Sequence, residues 1–130
     1  MSQKPSPVEK IKIESRGLRG TMYDSLANEI TGSLYDADQN LLKFHGMYQQ
    51  DDRDLRKTGK KYIMMVRGRI PGGVMSPAQW RTFDDLATQY GNDTLRVTTR
   101  QSIQFHGVLK SNLGHVIRGI NECLLSTLAA

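Results

Sequence analysis

The chain has 130 residues, which is enough for one domain with a hydrophobic core. Hydrophobic residues make up 38% and charged residues 24% of the sequence, as in ordinary globular domains. There is no apolar run of about 18 residues that would predict a transmembrane helix, and the first ten residues lack the apolar stretch of a secretory signal. We therefore expect a cytoplasmic protein without a membrane partner.

The net charge of +5 favours anionic partners such as phosphates, carboxylates or an acidic protein. The three histidines, at positions 45, 106 and 115, lack the spacing of metal ligands. One thiol, Cys123, can form neither an internal disulfide nor, by itself, a zinc or iron–sulfur site. We interpret Cys123 as a small buried residue and predict no metal ligands.

The first 60 residues predict an N-terminal arm with a short helix. Residues 1–20 are polar and indicate a tail or an arm that lies over another surface. The sequence TMYDSLANEI, residues 21–30, favours a short helix that Gly32 ends. Residues 41–48 are apolar enough for a strand or an extended segment, and residues 49–61 are dense in both charges, which is typical of a solvated loop or a short helix.

Residues 61–130 show a clearer alternation of strand and helix. YIMMVRGRI, residues 62–70, predicts a strand that PGG ends. Ser76, Pro77 and Gln79 form a capping-box pattern that begins a helix, and Gly91 ends it. A long strand is expected at about residues 94–108, followed by a helix over residues 111–130.

This order predicts an α+β fold, a ferredoxin-like half-domain with the extended N-terminal arm attached. The two strands can lie parallel through a right-handed crossover, either as neighbours or with another strand between them. Helices would cover one face of the sheet and leave the opposite face open.

Four arginines fall on the face that would be open. Alternation along the first strand separates Arg67 and Arg69 from its apolar residues, and alternation along residues 96–106 gives Arg96, Thr98, Arg100, Ser102, Gln104 and His106 one face. Arginine grips carboxylates and oxyanions with a planar fork and stays charged at every relevant pH. Close like charges repel, so this face predicts a polyanionic ligand.

Two other interpretations stay open on the pattern alone. The arginines could form a solvated face paired with Asp51, Asp52 and Asp54. The face could also belong to a non-catalytic anion- or RNA-binding module, although RNA-binding sheets stack bases on aromatic side chains and Phe105 falls on the opposite face.

Three segments carry a family resemblance: FHGMYQQDDRD (Phe44 to Asp54), VRGRIPGGV (Val66 to Val74) and RVTTRQSIQFHG (Arg96 to Gly107). In this order they resemble the N-terminal part of the NADPH-dependent sulfite reductase hemoprotein, the β-component, within the nitrite/sulfite reductase family. The resemblance runs from about Leu18 to the end of the sequence.

The resemblance implies six-electron reduction of sulfite to sulfide, in sulfate assimilation and cysteine biosynthesis. It implies a siroheme coupled to a [4Fe–4S] cluster, with a sulfite reductase flavoprotein subunit as electron donor and the remaining domains of the hemoprotein as partners. The position of Arg67 matches an arginine that reaches the sulfite. Arg69, Arg96, Arg100, Gln104 and His106 match positions that line the siroheme pocket.

The same resemblance implies an incomplete enzyme. Family members are several times longer than this chain. Their cluster-binding cysteines lie in the C-terminal half, beyond the part that corresponds to residues 1–130, so the resemblance implies that Cys123 is not one of these ligands. We expect the 130-residue chain to be either a fragment or a truncated product, inactive alone, with no nucleic-acid partner.

Overall fold

A computed structural model of the protein describes residues 4–27, 36–51 and 62–130. The helices in chain order are α1 (Pro7–Glu14), α2 (Met22–Ala27), α3 (Asp36–Leu42), α4 (Pro77–Tyr90) and α5 (Leu113–Glu122). The strands are β1 (Met47–Asp51), β2 (Tyr62–Gly68), β3 (Leu95–Val97) and β4 (Ile103–Val108). None of the described helices combines the length and apolar character that crossing a bilayer requires.

The four strands form one antiparallel sheet in the order β1-β2-β4-β3. Since β4 is antiparallel to both neighbours, β2 and β3 run parallel to each other with β4 between them. The chain passes from β2 to β3 through α4, as the predicted crossover requires, but the intervening strand β4 belongs to the segment predicted as one parallel strand and pairs antiparallel with β2. The predicted α+β class is thus confirmed, and the sheet takes its first strand from within residues 1–60.

The hydrophobic core lies between one face of the sheet and helices α4 and α5. Phe83 of α4 packs against Phe105 of β4 with ring centroids 5.1 Å apart, and both side chains are fully buried. Helix α5 contributes Leu113, Val116 and Ile120 to the same core. The helices therefore occupy the face that carries Val66 and Phe105, and the alternate residues of the strands point to the opposite face.

Helix α4 begins and ends where the sequence predicts. The Ser76 hydroxyl accepts a hydrogen bond from the Gln79 backbone N–H at 3.1 Å, and the Gln79 side chain accepts one from the Ser76 N–H at 2.9 Å. Gly91 follows the last helical residue. This capping box satisfies two amide groups that the first helical turn would otherwise leave unpaired.

The long strand predicted for residues 94–108 is wrong. The segment is a hairpin in which β3 and β4 pair with each other, and residues 98–102 form its turn. The Gln101 N–H donates to the Thr98 carbonyl at 3.0 Å, and Gln101 takes a left-handed φ of 58°. A tight turn followed by one left-handed residue is a common hairpin closure that needs no glycine, although glycine is preferred there.

Three further predictions at the two ends of the chain are corrected. The polar N-terminus contains helix α1, whose first turn is capped by the Ser6 hydroxyl. Leu41 and Leu42 end helix α3 instead of beginning a strand. The last helix stops at Glu122, because the chain then turns to pair with the sheet: the Arg69 N–H donates to the Ser126 carbonyl at 2.6 Å. Residues 28–30 of the helix predicted at residues 21–30, Gly32 and residues 52–61 lie outside the described residues.

Candidate anion-binding face

The open face of the sheet carries a row of three polar residues on three neighbouring strands. Arg67 of β2 and Arg96 of β3 are both direct cross-strand partners of Gln104 of β4. Cross-strand partners project to the same face, so Arg67 and Arg96 lie on either side of Gln104 in the sheet. We call Arg67, Gln104 and Arg96 the cationic row; it is the part of the predicted arginine face that strand pairing brings together.

The backbone of Arg67 is fixed by the segment that precedes β1. The Arg67 N–H donates to the carbonyl of Gly46 at 2.7 Å. Gly46 has a left-handed φ of 72°, and an added Cβ there would collide with the carbonyl oxygens of Thr127 and Arg67. Glycine is thus required at this position by both the conformation and the close approach of backbone. The FHG and VRGR segments, far apart in the sequence, meet at Arg67.

The guanidinium group of Arg67 lacks polar partners in the described part of the chain. Its Nε atom is buried and has no hydrogen-bond partner there. Among residues 4–27, 36–51 and 62–130, an ion pair forms between Glu9 and Lys12, and it does not involve Arg67. A buried N–H group without a partner carries a desolvation cost of about 1–3 kcal/mol.

The predicted pairing of the arginines with Asp51, Asp52 and Asp54 involves side chains that lie outside the described part of the structure. Asp52 and Asp54 lie outside the described residues, and of Asp51 the backbone in β1 is described. The described carboxylates leave all four arginines, Arg67, Arg69, Arg96 and Arg100, without an ion pair.

Gln104 is buried at 9% exposure and is held by its neighbour two residues along β4. The Nε2 atom of His106 lies 3.0 Å from the Gln104 carbonyl oxygen Oε1, so the His106 N–H donates to that oxygen. This bond occupies the acceptor end of the amide. The amide NH2 of Gln104 is then the end of this side chain that can still donate hydrogen bonds.

His106 is held neutral by its surroundings. Burial is the main cause that lowers the pKa of His106 below its ordinary value, and the positive charge of Arg96 lowers it further. At neutral pH the ring therefore carries one N–H, which donates to Gln104. The histidine adds a hydrogen-bonding group to the face without adding charge.

Arg69 and Arg100 lie beyond the cationic row, at one end of the sheet. Arg69 follows β2 and is exposed, and its backbone is fixed by Ser126. Arg100 is exposed in the hairpin turn and does not share a strand with Arg96, which corrects its predicted position. Gly73 lies against that turn: an added Cβ would be 3.1 Å from the Cβ of Gln101. The PGG turn thus packs directly against the hairpin that carries Arg100.

Tyr48 is a residue of this face that the sequence analysis did not identify. It lies on β1 opposite Met65, two residues from Arg67, and therefore projects to the face of the cationic row. The guanidinium carbon of Arg67 lies 5.8 Å from the centroid of the Tyr48 ring, which is within the range of a cation–π contact. The polar composition of MYQQD hid the strand, and cross-strand neighbours cannot be read from spacing along one strand.

A second cavity lies at the end of the sheet and has a different character. An open groove of about 700 Å³ runs between the PGG turn, the start of α4 and the hairpin. Its lining is mainly apolar and includes Ile70, Met75, Trp80 and Val97. A polyanion needs cations and donors, so the open face with the cationic row is the better candidate site.

The described residues contain no group of three or more His, Cys, Asp or Glu side chains that could hold a metal ion. Cys123 is partly buried and its Sγ–H donates to the Ile120 carbonyl at 3.2 Å. Burial raises the pKa of Cys123, which keeps the thiol protonated and unreactive. These contacts agree with a structural thiol.

Comparison with protein families identifies a match in this chain. Residues 55–123 match the nitrite/sulfite reductase ferredoxin-like half domain. The matched residues include β2, α4, the β3–β4 hairpin and α5, and so contain the cationic row.

Several relatives are about 50% identical to this chain over nearly all of its length. Sulfite reductase [NADPH] hemoprotein β-components are 51% identical over 96% of this chain in Xylella fastidiosa, 53% over 95% in Xanthomonas oryzae and 50% over 100% in Myxococcus xanthus. The chain covers 23%, 23% and 25% of these three relatives. It thus spans about a quarter of the length of the curated relatives it matches.

The fold also resembles that of a solved structure, the Mycobacterium tuberculosis NirA protein. The superposition has a TM-score of 0.80 with 23% sequence identity and covers 98% of this chain and 26% of NirA. With 23% sequence identity, this structural similarity shows that the two proteins share a fold. It confirms the predicted ferredoxin-like half-domain.

Proposed function

Because the chain belongs to the nitrite/sulfite reductase ferredoxin-like half-domain family, we propose that its open face forms one wall of the siroheme and sulfite site of a sulfite reductase hemoprotein. The observation that carries this proposal is the cationic row, in which Arg67 and Arg96 flank Gln104 without ion pairs to the described carboxylates. Siroheme is a tetrapyrrole that carries carboxylates, and sulfite is an oxyanion.

The donor set of this face fits such a cofactor. The buried Nε of Arg67 has no partner among the described residues, and a carboxylate or sulfite oxygen would supply one. Arg96, Arg69 and Arg100 are exposed and can bind carboxylates as charged forks. We assign Arg67 to sulfite, and Arg69, Arg96, Arg100, Gln104 and His106 to siroheme.

The chemistry is shared between cofactor and protein. Siroheme coupled to a [4Fe–4S] cluster supplies electrons for the reduction of sulfite to sulfide when both are bound. Arg67 offsets the charge of the bound oxyanion, and the hydrogen bond from its backbone N–H to Gly46 fixes the position from which its side chain extends. His106, neutral and bonded to Gln104, keeps the amide NH2 directed at the ligand.

We infer the electron-donating partner and the metabolic role of the complete hemoprotein from the relatives of this chain. The β-component of an NADPH sulfite reductase receives electrons from a flavoprotein subunit, so we propose that subunit as a partner of the complete hemoprotein. We place its role in cytoplasmic sulfate assimilation and cysteine biosynthesis. The half-domain contributes the cationic row, and the ligands of the cluster belong to the part of the hemoprotein that the relatives have beyond the matched region.

Siroheme content tests the proposal. Residues 1–130 would replace the matching segment of the Xylella fastidiosa hemoprotein, which is 51% identical, to give a full-length chain. We expect Arg96→Glu to lower siroheme per chain, since a hydrogen bond to a charged group contributes about 1.5 kcal/mol or more, which is roughly tenfold in the dissociation constant.

The matched control is Arg118→Glu, an equal charge reversal at an exposed position of α5. This variant should keep the parent's siroheme content because α5 packs on the opposite side of the sheet. Equal siroheme content in the Arg96→Glu and Arg118→Glu variants would overturn the assignment of the cationic row to siroheme.

A further inference from the structure

Tyr48 supports the group that the proposed function assigns to sulfite. We propose that Tyr48 is a positioning residue for Arg67, whose guanidinium it holds against its ring so that the N–H groups stay free for the bound anion. This inference rests on the proposed role of Arg67 and adds a residue on β1, the strand farthest from Arg96 in the sheet.

Strand pairing places the two side chains together. Tyr48 is the direct partner of Met65, and Arg67 follows Met65 by two residues, so all three project to one face. Diagonal neighbours across a sheet are within reach of long and aromatic side chains. The 5.8 Å separation between the Arg67 guanidinium carbon and the Tyr48 ring centroid shows that they are in contact.

Within the described part of the chain, the guanidinium group of Arg67 contacts the ring of Tyr48. The buried Nε atom has no hydrogen-bond acceptor there, and no described carboxylate pairs with Arg67. A long arginine side chain that lacks such partners samples several rotamers unless another contact restrains it. The face of Tyr48 can supply that restraint.

An aromatic ring suits this task better than a carboxylate. A carboxylate would neutralise Arg67 and occupy the N–H groups that an incoming oxyanion needs. A ring attracts the cation through its quadrupole and accepts none of its in-plane hydrogen bonds. Tyr48 therefore orients the charge without competing with the anion.

Tyr48 is also placed so that its loss would spare the core. It is partly exposed and is absent from the buried cluster that joins the sheet to α4 and α5. It lines a small polar depression of about 300 Å³ with Gln39, Asn40, Lys43 and Gln49. Substitution at position 48 should consequently change the support of Arg67 more than the fold.

The test uses the full-length hemoprotein described above and measures the dissociation constant of sulfite by equilibrium titration, with siroheme per chain determined in parallel. We expect Tyr48→Leu to raise the dissociation constant about fivefold at unchanged siroheme content, as the loss of one partly exposed cation–π contact predicts. Tyr48→Phe keeps the ring and should stay within about twofold of the parent.

The control is Tyr90→Leu, which removes a partly buried tyrosine that stacks on His115 on the helical side. Sulfite affinity should not change in this variant. If Tyr48→Leu folds poorly, Tyr48→Trp replaces it in the test: a larger ring face should leave the affinity equal or higher.

Arg67→Gln separates this inference from the proposed function. In its background the effect of Tyr48→Leu should vanish, since the ring acts through Arg67. If Arg67→Gln weakens sulfite binding but Tyr48→Leu does not, or if Tyr48→Leu acts equally in both backgrounds, the positioning role is overturned alone. If Arg67→Gln leaves sulfite binding unchanged, or the parent holds no siroheme, the proposed function itself fails and this inference with it.

Discussion

Arg67 and Arg96 lie on strands that do not touch each other, yet both have Gln104 as their cross-strand partner. Two strand spacings separate them by about 10 Å along the sheet. A ligand with several carboxylates is large enough to contact both side chains at once. The geometry therefore favours a large polyanion beside which a small oxyanion binds at Arg67.

The electrostatic link between Arg96 and His106 gives a measurable pKa change. The charge of Arg96 disfavours the imidazolium form of His106, so Arg96→Gln should raise the pKa of His106 toward its ordinary value. The shift would be incomplete, because burial is the larger cause and stays in place. Histidine ring resonances followed by NMR against pH in the 130-residue chain would measure it.

Arg100→Gln provides the matched control for that titration. Arg100 carries the same charge but lies in the hairpin turn, and it does not contribute to the lowered pKa of His106. Its substitution should leave the His106 titration where it is. An equal rise of the pKa in both variants would show that net charge, not the neighbouring Arg96, sets the protonation of this ring.

Gly46 should be the glycine with a left-handed φ that tolerates alanine least. Gly46→Ala adds a Cβ that collides with the carbonyl oxygens of Thr127 and Arg67, in addition to the strain of φ 72°. Gly17 has φ 73° but open space around it. We expect Gly17→Ala to cost about 1 kcal/mol of unfolding free energy, and Gly46→Ala to cost more by at least about 1–3 kcal/mol. Denaturant unfolding of both variants measures the difference, and equal losses would contradict the close backbone contact at Arg67.

Gly68 ties the arginine motif to the core. It lies between Arg67 and Arg69, and an added Cβ would be 2.8 Å from the Phe83 ring on the helical side. Gly68→Ala should lower the unfolding free energy by about 1–3 kcal/mol, since overpacking displaces a fully buried ring. Gly114→Ala, in α5 with nothing within 4 Å, should be neutral or stabilise the chain by up to about 1 kcal/mol. Thermal unfolding separates the two, and a neutral Gly68→Ala would show that Phe83 does not pack under the strand as described.

The sequence predicts part of the arginine face correctly, because side chains alternate between the two faces within each short strand. Arg67 projects away from Val66 and Gly68, and Gln104 and His106 project away from Phe105, as expected for pleated strands. The sequence TTRQS, residues 98–102, contains no glycine or proline that would mark a turn, so alternation predicts one continuous strand through it. Gln101 adopts the left-handed conformation there, and Arg100 consequently leaves the strand.

The positions that the sequence did not predict depend on tertiary contacts. Leu41 and Leu42 are equally compatible with a strand and a helix, and their burial beside α1, β1 and the core decides the outcome. Leu124 continues the apolar pattern of α5 but is 89% exposed, since the chain turns there to pair with Arg69. Tyr48 becomes part of the site through the pairing of β1 with β2, which no local pattern encodes.

A structure of the full-length hemoprotein loaded with siroheme tests the central claim most directly. We predict siroheme carboxylate oxygens within about 3 Å of the guanidinium of Arg96, and sulfite oxygens at that distance from Arg67, which would provide the buried Nε with a partner. A siroheme bound elsewhere, with Arg67, Gln104 and Arg96 facing solvent or another protein surface, would contradict the proposed function of this half-domain.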